Sequence, residues 1–166
     1  INGLCRIALD KLKKTYEQDI QEKNIRIVFD NLTLSLMMEV NVEQFSKVLA
    51  GILKNSMYAL LKKSETVTFS PEIFLGLKVN KDMLEIMIRD NGSGIDENIK
   101  DKIFAPFFTT KTTGEAAGVG LYLCREIVQN HRGTIEVESK KGEYTQFLIT
   151  IPVYQPKTIT PPKEEE

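Results

Sequence analysis

This chain of 166 residues has few cysteines and one histidine. Neither positive nor negative charge is in clear excess. Its two cysteines, Cys5 and Cys124, are too few and too far apart for a disulfide framework or a zinc site. Both are expected to be reduced, as in the cytoplasm. Lysine and arginine number 22 against 23 aspartates and glutamates, for a net charge of −1. The chain therefore offers no basic surface for nucleic acid, and no such partner is expected.

Long apolar segments are missing as well. No run approaches the roughly 18 residues of a membrane-spanning helix, and no signal peptide is recognisable. We therefore expect a cytoplasmic domain that does not itself contact a membrane. The chain begins at Ile1 rather than at Met, which indicates a fragment of a longer protein, and that protein could be anchored in a membrane.

The apolar residues that are present recur at helical and strand periods. Helical spacing predicts long helices over residues 3–24 and 41–64, the second with Asn41 as its N-cap. Two shorter helices are predicted over residues 96–104 and 118–131. Short apolar or β-branched runs predict strands at residues 25–30, 34–40, 73–79, 83–89, 132–139 and 145–153.

This order of elements predicts an α+β fold. Strands and helices are mixed along the chain, which favours a two-layer sandwich with helices on one face of a mixed β-sheet. Residues 154–166 are rich in proline and charge and are expected to form a flexible tail.

The stretch "DNGSGID", residues 90–96, ends an apolar strand with an acid, an amide and two glycines. One interpretation is an ordinary tight turn. The other treats Gly92 and Gly94 as points where a ligand approaches the backbone. Asp90 would then accept a hydrogen bond from an exocyclic amine, which is one way to recognise adenine. The motif alone leaves both interpretations open.

A second glycine pair, Gly118 and Gly120, lies where a loop enters a predicted helix. Free backbone N–H groups at a helix start suit a phosphate, although a flexible loop is the simpler interpretation. No strand leads into Gly118, Leu123 takes the place of a third glycine, and no Gly-Lys-Ser/Thr follows. The dinucleotide-binding and P-loop patterns are therefore both absent.

Asn55 lies within the longest predicted helix, where an amide is often merely solvated. Its side-chain oxygen could instead bind magnesium, which prefers oxygen donors and is commonly bound together with phosphates. The segment "PFFTTK", residues 106–111, adds Thr109, Thr110 and Lys111, which could hold a phosphate chain or simply lie at the surface.

His131, the only histidine, follows a predicted helix in "QNHRGT". A cationic or polar side chain is favoured at a helix C-terminus. We therefore expect a structural helix-end residue and not a phosphoacceptor.

In this order the motifs resemble those of the ATP-binding domain of bacterial sensor histidine kinases, in the superfamily shared with gyrase, heat-shock chaperone ATPases and mismatch-repair ATPases. The segment "FSKVLAGILKNSMYALL" is similar to the asparagine box, and "RDNGSGID" is similar to the first glycine box. "IFAPFFTTK" resembles the phenylalanine box, "GVGLYL" the second glycine box and "KKGEYTQFLITIP" the closing glycine-threonine segment. The resemblance runs from Ile25 to Pro152.

The resemblance implies a Bergerat-type ATP-binding fold with ATP and Mg²⁺ as cofactors. It places Asn55 at the magnesium position and Asp90 at the position that reads adenine, with Lys111 as a phosphate clamp rather than a certain catalytic residue. The nucleotide-binding residues implied are Asn55, Asp90, Gly92, Gly94, Ile95, Phe108, Thr109, Lys111, Gly118, Val119, Gly120, Leu121 and Thr145.

Two positions depart from the family pattern. Gly51 stands where hydrolysing relatives carry the glutamate that activates water, so transfer to another nucleophile is favoured over hydrolysis. Tyr144 replaces a glycine of the last box and is expected to narrow the edge of the site.

The resemblance implies a protein histidine kinase domain that transfers the γ-phosphoryl group of Mg-ATP to a histidine on a separate domain. We expect residues 1–23 to be a helical linker or the end of a dimerisation helix, 24–153 the catalytic domain and 154–166 the tail. The implied partners are an upstream histidine-bearing dimerisation domain and a response regulator. The alternatives are an anti-sigma-type protein-serine kinase and a non-catalytic, nucleotide-gated binding module.

Overall fold

The structure, a computed structural model, describes residues 1–33, 36, 38–110 and 118–153. Over these ranges it is an α+β fold in which a mixed β-sheet packs against helices, as the sequence predicts. The helices are α1 (Asn2–Thr15), α2 (Glu17–Lys23), α3 (Val42–Ser64), α4 (Glu97–Lys100) and α5 (Gly120–Asn130). The strands are β1 (Arg26–Asp30), β2 (Glu72–Asn80), β3 (Met83–Asp90), β4 (Thr134–Lys140) and β5 (Tyr144–Pro152).

The sheet has the strand order β1-β2-β3-β5-β4 over the described residues. The β1–β2 pair is parallel and the other pairs are antiparallel. Both predicted hairpins, β2–β3 and β4–β5, are confirmed. Buried and half-buried residues alternate along β5, so one face of the sheet meets the helices and the other faces solvent.

The long helix α3 is central to the helical layer. Its N-cap is Asn41, as predicted, because the Asn41 side chain accepts a hydrogen bond of 3.0 Å from the Gln44 N–H. Its buried face includes the fully buried Phe45, Leu49 and Leu53. No helix in the described ranges is long and apolar enough to cross a membrane.

The first predicted helix is two helices, α1 and α2, which separate at Tyr16. The chain then leaves α2 through Asn24, whose backbone is left-handed with φ 51°. Helix α1 contacts α3 and buries Cys5, Leu9 and Leu12 in the same core as the sheet.

The strand predicted over residues 34–40 is wrong for the residues that the structure describes there. Residues 36 and 38–40 belong to no strand, while 34, 35 and 37 lie outside the described residues. Leu36, Met38 and Val40 are instead half-buried and pack against the core. Their alternating apolar pattern thus serves packing without a ladder of backbone hydrogen bonds, which periodicity cannot reveal.

Candidate functional site

A cavity of about 640 Å³ opens between α3, the turn after β3 and the start of α5. Most of the residues predicted to bind nucleotide line it, although they come from distant parts of the chain. These residues are Asn55, Asp90, Gly94, Ile95, Phe108, Thr109, Gly118, Val119, Gly120, Leu121 and Thr145. A volume of this size lies within the range of small-ligand sites.

Two predicted site residues are not placed in the cavity wall. Gly92 lies behind it, and its N–H donates a hydrogen bond of 3.0 Å to Oδ1 of Asp90. Lys111 lies outside the described residues, so its role as a phosphate clamp stays a prediction.

Asp90 is the buried carboxylate of this cavity. It ends β3 and is only 2% exposed. Burial raises its pKa from the ordinary value of 3.8 to about 6, and the Gly92 N–H, the Ser56 hydroxyl and the Lys63 ammonium partly offset that rise. A carboxylate held at this depth has unused acceptor capacity for a ligand that brings its own donor.

The two glycines of the "DNGSGID" turn have packing reasons of their own. A Cβ on Gly92 would lie 2.7 Å from the Cβ of Ala59 on α3. Gly94 has a left-handed backbone with φ 63°, and a Cβ there would collide with the backbone of Lys140. These positions need glycine because the turn is pressed against α3 and against the end of β4.

Asn91, the residue after Asp90, fastens this turn to the segment that leads into β2. Its Oδ1 accepts from the Glu72 N–H at 2.8 Å, and its Nδ2 donates to the Ser70 carbonyl at 2.8 Å. The Lys63 ammonium donates to the Asn91 carbonyl at 2.8 Å. The turn that carries Asp90 is thereby held to β2 and to α3.

Thr145 lies beside Asp90 on the paired strand β5 and is 5% exposed. Its hydroxyl is 3.1 Å from that of Ser139. Ser139 already donates its one proton to the Tyr144 carbonyl at 2.7 Å and accepts from the Ile95 N–H at 2.8 Å. Thr145 is therefore the donor in the pair, and it can only accept a hydrogen bond from a ligand.

The start of α5 presents backbone N–H groups to the same cavity. Val119 is the N-cap residue, no side chain caps this end, and the first turn carries no acidic residue. Gly118 has φ 71°, and a Cβ there would lie 2.5 Å from the carbonyl carbon of Phe107. An uncapped helix N-terminus of this kind favours an anion such as phosphate.

Several cavity-lining residues were not predicted from the sequence. Helix α3 contributes Lys54, Ser56, Tyr58 and Lys62 in addition to Asn55. Tyr58 and Lys62 lie three and seven positions after Asn55, and the Lys62 ammonium is 6.0 Å from the centre of the Tyr58 ring. Helical spacing from Asn55 could have identified these two. Nothing in the sequence singles out Lys54 or Ser56.

Comparison with known proteins supplies the family. Residues 41–155 match the family described as histidine kinase-, DNA gyrase B-, and HSP90-like ATPase. The chain belongs to this family. The matched segment contains all the elements that line the cavity.

Sensor kinases are among the relatives of this ATPase-family chain. Cyanobacterial phytochrome A of Nostoc sp. is 35% identical over 88% of the chain, and a probable C4-dicarboxylate sensor kinase of Halalkalibacterium halodurans is 30% identical over 91%. The chain spans 18% and 27% of the lengths of these two proteins. The catalytic domain of histidine kinase ThkA, in a nucleotide-free form, has a TM-score of 0.73 and 28% identity, covering 92% of this chain and 91% of that one.

The two departures from the family pattern have different consequences. Gly51 lines the cavity, and a Cβ there would lie 3.2 Å from Cys124 Sγ on α5, so the glycine lets α3 and α5 approach closely. Tyr144 does not narrow the cavity, contrary to the prediction. Its ring instead packs on the Arg89 guanidinium at 4.3 Å, and its hydroxyl donates to Glu138.

His131 is the C-cap of α5, as predicted for a helix-end residue. Its Nε2 accepts from the Asn41 N–H at 2.9 Å, and its Nδ1 lies 2.7 Å from the Ile127 carbonyl. Because a carbonyl only accepts, Nδ1 carries the proton. Both ring nitrogens are thus engaged, and the residue is outside the cavity wall.

Proposed function

We propose that this chain is the ATP-binding catalytic domain of a two-component sensor histidine kinase. The observation that carries the proposal is the shared cavity, in which the buried Asp90, the Asn55 amide and the uncapped start of α5 face one volume. An acceptor at one end and backbone donors at the other match an adenine base and a phosphate chain.

The adenine amine would donate to Asp90, with Gly94, Ile95 and Thr145 around the base. Phe108 and Thr109 would lie along the sugar and phosphates. The N–H groups of Gly118, Val119, Gly120 and Leu121, together with Lys111, would bind the phosphate oxygens. Gly92 would act indirectly, by holding Asp90 through its N–H.

Magnesium would be held by the side-chain oxygen of Asn55. In the described part of the chain no three His, Cys, Asp or Glu side chains are grouped so that they could hold a metal. A single amide oxygen suits Mg²⁺, because this ion keeps several waters and takes its other ligands from phosphates. Bound there, the ion would neutralise charge on the β- and γ-phosphates.

Neither carboxylate in the described wall of the cavity is placed to activate water, which favours phosphoryl transfer over hydrolysis. Asp96 and Asp90 line the described wall. Asp96 is paired with the Lys141 ammonium at 2.8 Å and caps α4, while Asp90 is buried below the base site. Gly51 supplies no side chain to activate water. The chain therefore acts by positioning the phosphates and neutralising their charge.

In the transfer, the bond between the γ-phosphorus and its bridging oxygen breaks and ADP leaves with that oxygen. A bond forms between the phosphorus and an imidazole nitrogen of the accepting histidine. That histidine would lie on a dimerisation domain of the longer protein, and a response regulator would then receive the phosphoryl group.

A phosphotransfer assay with γ-labelled ATP tests this function. The chain alone should stay unlabelled, whereas the chain joined to the segment that precedes it in the full-length protein should yield an acid-labile phosphate. Asn55→Ala in the longer protein should abolish the label. Acid-stable phosphoserine on a partner would instead indicate the anti-sigma type of kinase, and nucleotide binding with no transfer to any partner would indicate a binding module.

A further inference from the structure

The charged side chains in the described wall of the cavity include one, Lys54, that the proposed function leaves without a role. The five that line this wall are Lys54, Lys62, Asp90, Asp96 and Lys141. Asp96 and Lys141 form an ion pair at 2.8 Å. The Lys62 ammonium lies over the Tyr58 ring, and the Asp90 carboxylate is buried. Lys54 remains, on α3 directly before Asn55.

The ammonium of Lys54 is available to a ligand. Its side chain is exposed and lines the cavity. The residues three and four positions away on α3, where helical ion pairs form, are all uncharged. No described residue forms an ion pair with Lys54. By contrast Lys47, two turns earlier on the same face of α3, is paired with Glu43 at 2.8 Å.

Helix α3 runs from the Asp90 end of the cavity to the α5 end. The turn that carries Asp90 packs on Ala59. Gly51 lies against Cys124, about one turn after the start of α5. At 1.5 Å per residue, Lys54 is about 7.5 Å along the helix axis from Ala59 and about 4.5 Å from Gly51. Lys54 is therefore nearer to the end of the cavity that suits phosphates.

Lys54 also lies on the open side of the cavity. Residues two apart on a helix face away from each other, and Ser56 is buried whereas Lys54 is exposed. A γ-phosphate that is transferred to a histidine on another domain has to lie at the open side, where that histidine can reach it. An ammonium is a suitable donor to phosphate oxygens there.

We propose that the Lys54 ammonium binds the γ-phosphate of ATP and makes the domain favour ATP over ADP. The inference rests on the proposed function, because it assumes that a nucleotide lies between Asp90 and the start of α5. ADP has no γ-phosphate, so its complex leaves the Lys54 ammonium in water. With ATP the ammonium adds to the charge neutralisation that Mg²⁺ at Asn55 would provide.

Calorimetry with Mg-ADP and with Mg-AMP-PNP, an ATP analogue that does not transfer its γ-phosphate, tests the inference. Lys54→Met keeps a long side chain with a similar helix preference and removes the charge. It should weaken AMP-PNP by about 5- to 20-fold, as for one partly exposed charge-assisted contact, and ADP by less than about twofold. Lys54→Arg keeps the charge and should bind AMP-PNP more tightly than Lys54→Met does.

Lys47→Met is the matched control. It removes the same charge from the same face of α3, but Lys47 is paired with Glu43 and does not line the cavity. This variant should bind both nucleotides as the wild type does, so it measures any effect of net charge alone. Thermal unfolding of each variant separates loss of binding from loss of fold.

Three results would overturn the role of Lys54 while leaving the proposed function intact. Lys54→Met could bind AMP-PNP as tightly as the wild type. It could weaken AMP-PNP and ADP by equal factors, which would place the lysine away from the γ-phosphate. Lys47→Met could cause the same loss, which would show an effect of net charge only. Failure of the wild type to bind ADP would instead contradict the proposed function.

Discussion

Asp90 illustrates at the scale of one residue how a binding group is kept at a cost to stability. Its pKa rises from 3.8 to about 6 on folding, chiefly because the carboxylate is buried. The folded state therefore binds a proton more tightly than the unfolded state does. Its contribution to stability is greatest below about pH 4, falls as the pH rises through about 6, and is constant above that.

We predict that Asp90→Asn is more stable than the wild type above pH 7, by roughly 1–2 kcal/mol. Asparagine removes the buried charge and can keep the bond from the Gly92 N–H. Urea unfolding of both proteins from pH 4 to pH 8 is the measurement, with comparison at each pH cancelling the titration of other groups. An advantage that does not shrink towards pH 4, or an Asn variant less stable at pH 8, would refute this explanation.

Gly51 and Cys124 form a second test at residue scale. Alanine in a helix interior is favoured over glycine by about 1 kcal/mol, but a Cβ at position 51 would lie 3.2 Å from the Cys124 sulfur. Gly51→Ala should therefore be close to neutral in the wild type. In a Cys124→Ala background the same change should stabilise by about 0.5–1 kcal/mol. A double-mutant cycle measures this, and equal effects in the two backgrounds would show that the sulfur is not the obstacle.

At the scale of elements, His131 connects the end of α5 to the start of α3. It accepts from the N–H of the α3 cap residue Asn41, and its ring meets that of Phe45 edge to face, with centroids 5.9 Å apart. This contact joins two helices that both line the cavity, although His131 itself does not.

We predict that His131→Ala destabilises the fold by about 1–3 kcal/mol, because two hydrogen bonds and a packed ring are lost. His131→Phe keeps a ring and loses only the two hydrogen bonds, so it should be destabilised less. Both variants should still bind ADP once they are folded. Thermal unfolding and calorimetry together check this, and an unaffected melting temperature for His131→Ala would contradict the structural role.

The elements also show what periodicity can and cannot predict. The long helix with its Asn41 cap and both hairpins followed from spacing and cap chemistry, because those signals are local. The break at Tyr16 lacks a local signal of comparable strength. The alternation over residues 34–40 was misleading, since Leu36, Met38 and Val40 pack on the core without a partner strand.

At the scale of the whole molecule, the sequence predicted which motifs would converge but not every reason for their composition. Predicted residues as distant in sequence as Asn55, Asp90 and Thr145 do line one cavity. The packing of Gly92 on Ala59 and of Gly94 on Lys140 depends on contacts between segments distant in sequence. Ser56 was missed for the same reason, since only the folded structure shows that its side chain is buried in the cavity wall beside Asp90.

The central claim is that the cavity binds an adenine nucleotide through Asp90, and calorimetry with ADP tests it most directly. With Mg²⁺ present, the wild type should bind ADP, and Asp90→Asn should bind it more weakly by roughly 1–3 kcal/mol. GDP should bind far less well, because its oxygen at that position offers Asp90 no donor. Asn55→Ala should reduce the gain that Mg²⁺ provides. No detectable heat at millimolar ADP with a folded protein, or equal affinity for ADP and GDP, would contradict the account.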